Sequence, residues 1–163
     1  MRTRTTTTES SDELARRYSH DPVTGSVTQE QIAVGDFEYV LVRTNDSLGR
    51  PSGVELAVTG QSPFYSVSYS YDPTGRLASV TWTNAGQPQF TAAYAYVPDS
   101  ALIAAVTISG GTTTLSSART YEPNRDLIVS VSNLWGATPV SDFVYANDEL
   151  ARRTNRVDSA STT

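Results

Sequence analysis

The chain has 163 residues, of which 38% are hydrophobic, and a formal net charge of −5. An acidic chain whose twelve basic residues are all arginine is a poor match for nucleic-acid phosphates, and the absence of cysteine excludes disulfides, thiolate nucleophiles and zinc–thiolate sites. No apolar run approaches the length of a membrane span, and abundant Thr, Ser, Val and Tyr favour strands with one solvated face.

Taken in chain order, residues 1–11 are polar and Ser/Thr-rich and read as a disordered tail, with no apolar segment that would serve as a signal peptide. The stretch Asp12-Glu13-Leu14-Ala15-Arg16-Arg17 follows Ser10-Ser11, and Ser10-Ser11-Asp12-Glu13 alone resembles a helix capping box. The same six letters return at Asp148–Arg153, after the strand-like Phe143-Val144-Tyr145. Both copies are therefore expected to run from turn into strand.

From His20 onward one phrase recurs. The anchors are His20, Asn45, Tyr71, Tyr96, Tyr121 and Tyr145, with gaps of 25, 26, 25, 25 and 24 residues. A fixed period of this length signals units that stack on their neighbours. The first unit has His20-Asp21-Pro22 leading to Gly25. The second has Asn45-Asp46-Ser47-Leu48-Gly49-Arg50. The third is the fullest: Tyr69 and Tyr71 share a strand face, Asp72-Pro73-Thr74-Gly75 is turn chemistry, and Arg76-Leu77 opens a returning strand that runs to Trp82. Tyr94 and Tyr96 lead to Leu102 and Val106. A Gly110-Gly111 hairpin loop follows. Tyr121 leads to Leu127 and Val131, and Phe143 with Tyr145 leads to Leu150. Residues 158–163 read as a second tail.

Each unit thus reads as strand, tight turn, strand. The predicted fold class is all-β: repeated antiparallel hairpins forming one open, twisted sheet of about ten to twelve strands over 12–157. Leu77, Val80, Leu102, Val106, Leu127, Val131 and Leu150, with the tyrosines, are expected to dominate its apolar contacts. Arg50 and Arg76 are placed to bridge the turn carboxylates.

Little in the chain suggests catalysis. His20 is the sole histidine and stands at an aromatic anchor, so it reads as a strand residue and not as a ligand or base. Asp21, Asp46, Asp72, Asp99, Asp126 and Asp148 fall in turns, where Asp bonds backbone amides. No two of them are paired as a glycosidase requires. There is no Gly-x-Ser-x-Gly elbow and no phosphate-binding glycine loop. Asn133-Leu134-Trp135 is not a glycosylation signal. The expectation is no enzyme, no catalytic residue, no metal and no cofactor. The residues with content are the repeat motif: Tyr69, Tyr71, Asp72, Gly75, Arg76, Leu77, Tyr94, Tyr96, Leu102, Tyr121, Leu127 and Tyr145. Their rings are expected to stack from hairpin to hairpin. The alternative is an exposed aromatic row, joined by Trp82 and Trp135, that binds carbohydrate or a cell surface.

These phrases resemble the RHS, or YD, repeat family, whose consensus runs approximately Tyr-Asp-x-x-Gly-Arg-Leu-x-x-Val-Thr. Tyr71-Asp72-Pro73-Thr74-Gly75-Arg76-Leu77-Ala78-Ser79-Val80-Thr81 fits it at every fixed position. The flanking units are worn copies. The resemblance implies a ribbon of hairpins that spirals into a shell around a polypeptide cargo, a toxin in bacterial systems. It also implies that relatives are often secreted or surface-bound. The Asp-Pro-x-Gly-Leu phrase that precedes self-cleavage in the family has no counterpart here, so no protease residue is carried over. With about six units the chain reads as a wall segment. Its expected partners are further repeat segments, or copies of itself, meeting at sheet edges. No nucleic acid and no membrane span are expected.

Overall fold

The computed structural model describes residues Leu14–Asp158. The expected tails fall outside them, apart from Asp158, which ends the last strand. Twelve strands account for most of the chain: β1 (Leu14–His20), β2 (Val27–Val34), β3 (Phe37–Asn45), β4 (Pro51–Val58), β5 (Tyr65–Tyr71), β6 (Leu77–Asn84), β7 (Gln87–Tyr96), β8 (Ile103–Gly110), β9 (Thr113–Glu122), β10 (Arg125–Trp135), β11 (Thr138–Asn147) and β12 (Arg153–Asp158). They form one open antiparallel sheet in which spatial order equals chain order. No helix among the described residues is long and apolar enough to cross a membrane.

Two kinds of turn alternate, except that β4 and β5 are joined by a six-residue segment, 59–64. One kind is a two-residue hairpin, as at Ala85-Gly86, where both residues have positive φ, 47° and 76°. That mirror-image turn matches the natural twist of paired strands, and glycine adopts it without a Cβ clash. The other kind is the longer turn that opens with a residue such as Asp72. It carries the repeat motif.

By Cα packing the chain divides into two units, Met1–Ser70 with Thr81–Gln89, and Tyr71–Val80 with Phe90–Thr163. Neither has a core in the ordinary sense, since no described side chain is fully buried. In the first unit the strand register puts bulky residues on one face. Ile32, Tyr39 and Val58 stand opposite one another across β2, β3 and β4, and Leu41, Leu56 and Tyr65 across β3, β4 and β5. The Tyr65 ring stacks on Trp82 at 6.0 Å and meets the edge of Phe64 at 5.0 Å. The opposite face carries Arg17, Gln31, Val40 and Ala57 in one row. In the second unit Ile108, Leu115 and Trp135 form a row on one face, and Ala95, Ala105, Ala118 and Ser132 a row of small residues on the other. Stability in such a layer rests on ladder hydrogen bonds and on cross-strand pairs worth roughly 0.2–1 kcal/mol each.

One expectation needs correction. Leu150 makes no apolar contact of weight: it lies in a turn and is 73% exposed. The duplicated hexapeptide takes two structures. Asp148–Arg152 is a turn, with Ala151 at φ 64°, whereas Leu14–Arg17 is already strand, Ala15 pairing with Ala33. Asp12 and Glu13 lie outside the described residues. Register with the neighbouring strand, not the local letters, decides between the two.

Candidate functional site

The repeat motif builds an acid–arginine clasp at the end of the second, third, fifth and sixth hairpins. In the third hairpin the Asp72 amide donates to the Arg76 carbonyl, 2.8 Å, and the Gly75 amide to the Asp72 carbonyl, 2.9 Å. Gly75 sits at φ 88°, a region costly for residues with a Cβ. The Asp72 carboxylate fills the loop. Its Oδ1 accepts from the Thr74 amide and hydroxyl at 2.9 and 2.7 Å and from the Arg76 amide at 2.9 Å. Its Oδ2 accepts from Arg76 Nε at 2.7 Å.

Asp46 and Arg50 repeat this arrangement, with Arg50 Nε at 2.8 Å from Asp46 Oδ2. So do Asp148 and Arg152, with Nε at 2.7 Å. Asp21 binds the Val23 and Thr24 amides at 2.8 and 2.7 Å. In the fifth hairpin Glu122 takes the acid's place and accepts from Arg125 Nε at 2.5 Å. The fourth turn opens with Val97 and is one residue longer. Its Val97 amide donates to the Leu102 carbonyl at 2.9 Å, and Asp99 adopts φ 54°.

Electrostatics follow from these contacts. Partial desolvation pushes the Asp72 carboxyl up, but the bonds from Thr74 and Arg76 outweigh it and hold the pKa far below the usual carboxylate range. The same opposition lowers Asp46, through Arg50 and the Leu48 amide. In Asp148 the Arg152 amide is the largest cause of a lowered pKa. Carboxylates held ionised in this way act as clamps on backbone amides. They are unsuited to giving up a proton near neutral pH.

The clasp also reaches sideways. Arg76 Nη1 donates to the Ser100 carbonyl in the next turn, and its guanidinium lies over the Tyr96 ring, 4.4 Å from the centroid. Arg125 Nη1 donates to the Asp148 carbonyl at 2.7 Å. The anchors reach the other way. The Tyr96 hydroxyl donates to the Leu77 carbonyl at 2.8 Å, and the Tyr121 hydroxyl to the Ile103 carbonyl at 2.9 Å. Asn147 Nδ2 donates to Glu122 Oε1 at 3.0 Å and approaches the Ile128 carbonyl at 3.5 Å. The fourth, fifth and sixth hairpins are thereby each tied to the one before by side chain to backbone bonds, each contributing about 0.5–1.5 kcal/mol.

The structure re-registers three motif positions. The sixth anchor is Asn147, not Tyr145, because Asn147 directly precedes the clasped Asp148 as Tyr71 precedes Asp72. Tyr145 lies two residues earlier in β11, with Phe143 stacked at 6.4 Å and Arg153 over its ring at 3.7 Å. Leu102 and Leu127 are not equivalents of Leu77. The residues opposite the anchors Tyr96 and Tyr121 are Ile103 and Ile128. The fourth turn's additional residue shifts Leu102 into the turn, and a bulge in β10 absorbs Leu127. The pairing of an Asp with an Arg four residues later, common to 46/50, 72/76 and 148/152, is the signal that would have found Asn147 and Arg152. Tyr69 and Tyr71 end β5, half-buried, and Tyr94 sits in β7 opposite Val106. Among the described residues no cluster of His, Asp and Glu could hold a metal ion.

Fold and geometry together define a class: an open antiparallel sheet of clasped hairpins joined in series. No family model matches the chain, and no curated protein does. Among solved structures the chain is similar to one chain of the Photorhabdus luminescens Tc holotoxin pore, at 16% identity and a TM-score of 0.43, over 89% of this chain and 9% of that one. It is also similar to TcdB2–TccC3 without its hypervariable C-terminal region, at 13% identity and a TM-score of 0.29, over 90% of this chain and 10% of that one. This chain spans about a tenth of the length of either.

Proposed function

We propose that this protein is a noncatalytic wall segment: a run of hairpins that joins further segments of its kind to enclose a polypeptide. The observation that carries the reading is the serial tie between hairpins, in which Tyr96, Tyr121 and Asn147 reach back while Arg76 and Arg125 reach forward. Such ties serve a sheet that is one layer thick and must keep its continuity without a core. The match of Tyr71–Thr81 to the RHS consensus supports the same reading, and the enclosed cargo is what that resemblance implies.

The carbohydrate-binding alternative draws less support. Arg76 covers the Tyr96 ring and Arg153 the Tyr145 ring, so these faces are not open to stack on sugars. A glycan array with Tyr96→Ala and Trp82→Ala controls distinguishes the two.

An open sheet has two edges with unpaired backbone groups. The wall reading therefore predicts that the purified chain associates with itself or requires a partner segment. Analytical ultracentrifugation over a wide concentration range tests this. Concentration-dependent assembly supports it, and a folded monomer throughout contradicts it.

A further inference from the structure

One connection departs from the pattern of the others. β2–β3, β6–β7, β8–β9 and β10–β11 are each joined by two residues, whereas β4 and β5 are joined by six, Thr59-Gly60-Gln61-Ser62-Pro63-Phe64. The extra residues are held in place. The Thr59 amide donates to the Glu38 carbonyl at 2.8 Å, the Phe64 amide to the Leu56 carbonyl at 3.0 Å, and the Ala85 amide to the Phe64 carbonyl at 2.8 Å. Pro63 restricts its own backbone and that of Ser62. The Phe64 ring meets Tyr65 edge-on at 5.0 Å.

This segment borders a cavity of about 470 Å³, within the range of roughly 300–1,000 Å³ usual for ligand pockets. Pro63, Phe64 and the Ala85-Gly86 turn supply its apolar lining. Its polar side chains are Glu55, Ser62 and Ser66. Glu55 and Ser66 stand directly opposite each other in register, on the face away from Leu56 and Tyr65. None of the three has a side-chain hydrogen bond or ion pair among the described residues, whereas Glu30 and Asp46 in the same unit are engaged by arginines. No arginine lines the cavity, and all of its lining residues belong to the first unit.

The lining selects among ligands. A lone carboxylate with no cation beside it repels anions and attracts cations. A sugar ring displays more hydroxyls than three side chains can satisfy, and each one left unpaired weakens binding. An aliphatic stem ending in an ammonium fits both parts of the site. Its three N–H donors match the Glu55 carboxylate and the two serine hydroxyls. Its methylenes lie on Pro63 and Phe64, and the ring face favours the cation. A guanidinium, with its flat fork of donors, suits a bidentate acceptor better than three separate ones. The volume leaves room for backbone on either side of the stem.

We infer that this cavity binds the side chain of a lysine presented by another polypeptide. The chain contains no lysine, so a second copy of these residues cannot supply it. The inference goes beyond the wall reading and does not rest on it, because the cavity is built within one unit.

The absence of lysine also makes the test clean. The full chain is treated with a water-soluble carbodiimide and the peptide acetyl-Gly-Lys-Gly-amide, and the coupled carboxylates are identified by mass. Coupling at Glu55 should saturate with peptide concentration and run at least about tenfold faster than at the exposed Asp36 and Glu149, since a bound amine reacts as a neighbour. Coupling that is no faster at Glu55, or that rises linearly with peptide, would overturn the inference. Unreactive competitors and a second amine test the ligand's identity. Equal protection of Glu55 by acetyl-Gly-Arg-Gly-amide would overturn the choice of ammonium, and protection by methyl glucoside would make this a sugar site. An equal excess at Glu55 with n-butylamine would overturn the polypeptide as the source. Phe64→Leu and, at an exposed position, Ser62→Ala should each reduce the Glu55 excess roughly two- to fivefold. Coupling at Asp36 and Glu149 should not change in either variant. An undiminished excess in both variants would contradict the site.

Discussion

The two units solve one problem by different means. The first, containing β1 to β4, leans on side-chain bulk. Rows such as Leu41, Leu56 and Tyr65 end against Trp82, and on the same face Glu30 lies between Arg16 and Arg43, 3.7 Å from each. Its anchors are His20 and Asn45, neither of which carries a phenol. The second unit places small residues such as Ala95, Ala105 and Ala118 along one face and invests instead in bonds between hairpins. Its anchors Tyr96, Tyr121 and Asn147 all reach a neighbouring hairpin. The contrast teaches that the recurring element of this chain is the clasped turn, present in both units at Asp46 and Asp72, while the support around it differs from one unit to the other.

Packing defects should therefore damage the first unit most. At Gly53 a Cβ would stand 2.9 Å from Thr44 Oγ1 and 3.3 Å from the Val67 carbonyl oxygen. Gly53→Val is expected to cost about 1–3 kcal/mol by overpacking, measured by urea unfolding. Amide exchange should quicken around β3 and β4 and remain unchanged at β9 and β10. Equal loosening of both units would break the comparison.

Trp82→Ala removes the ring on which Tyr65 stacks. The site is only half-buried, so the expected loss is about 1–2 kcal/mol, below the range for a fully buried aromatic. Tyr65 fluorescence and urea unfolding report it. A loss no larger than for an exposed residue would show that the aromatic row does not support the first unit.

Acid should act on the clasps of both units alike. Asp46, Asp72 and Asp148 have native pKa values below those of the unfolded chain, so the native state binds fewer protons in the acid range. Their contribution is complete above about pH 4 and declines as pH falls through the lowered native values. Amide exchange at Gly49, Gly75 and Ala151, corrected for intrinsic rates, should remain protected at neutral pH and open on acidification. Asp72→Asn should remove the pH dependence at Gly75 alone. Persistent acid-linked opening at Gly75 in that variant would contradict the role given to the carboxylate.

The smallest effect is expected at Glu30→Gln. Its two arginine partners are 50% and 40% exposed, and pairs of that kind contribute about 0–1 kcal/mol. A larger loss by urea unfolding would move the first unit's stability from bulk toward charge.

Much of this was legible in the letters. The period of Asp-containing turns between alternating runs marks hairpins, and Tyr71–Thr81 contains one complete clasp, so the all-β open sheet follows from the sequence. What escaped was register. Counting tyrosines put the last anchor at Tyr145, because a ring is a more visible letter than the Asp–Arg spacing that actually defines the turn. Counting leucines equated Leu102 and Leu127 with Leu77. A one-residue change in turn length is silent in a count from anchor to leucine, yet it moves a side chain from strand to turn or bulge. The hexapeptide at 12–17 and 148–153 makes the same point, since identical letters become strand in one place and turn in the other. The bonds from Arg76 to Ser100 and from Tyr121 to Ile103 span two hairpins and require the folded register before they can be seen.

The central claim is that consecutive hairpins of the second unit are joined through their anchor side chains. The most direct measurement is urea unfolding of the double variant Tyr96→Phe/Tyr121→Phe, which removes two hydroxyls and little else. A loss of about 1–3 kcal/mol, with amide exchange quickened in β6 and β8, whose carbonyls accept the two hydroxyls, and unchanged in β2 and β3, is the predicted result. Stability and exchange indistinguishable from the parent chain would contradict it.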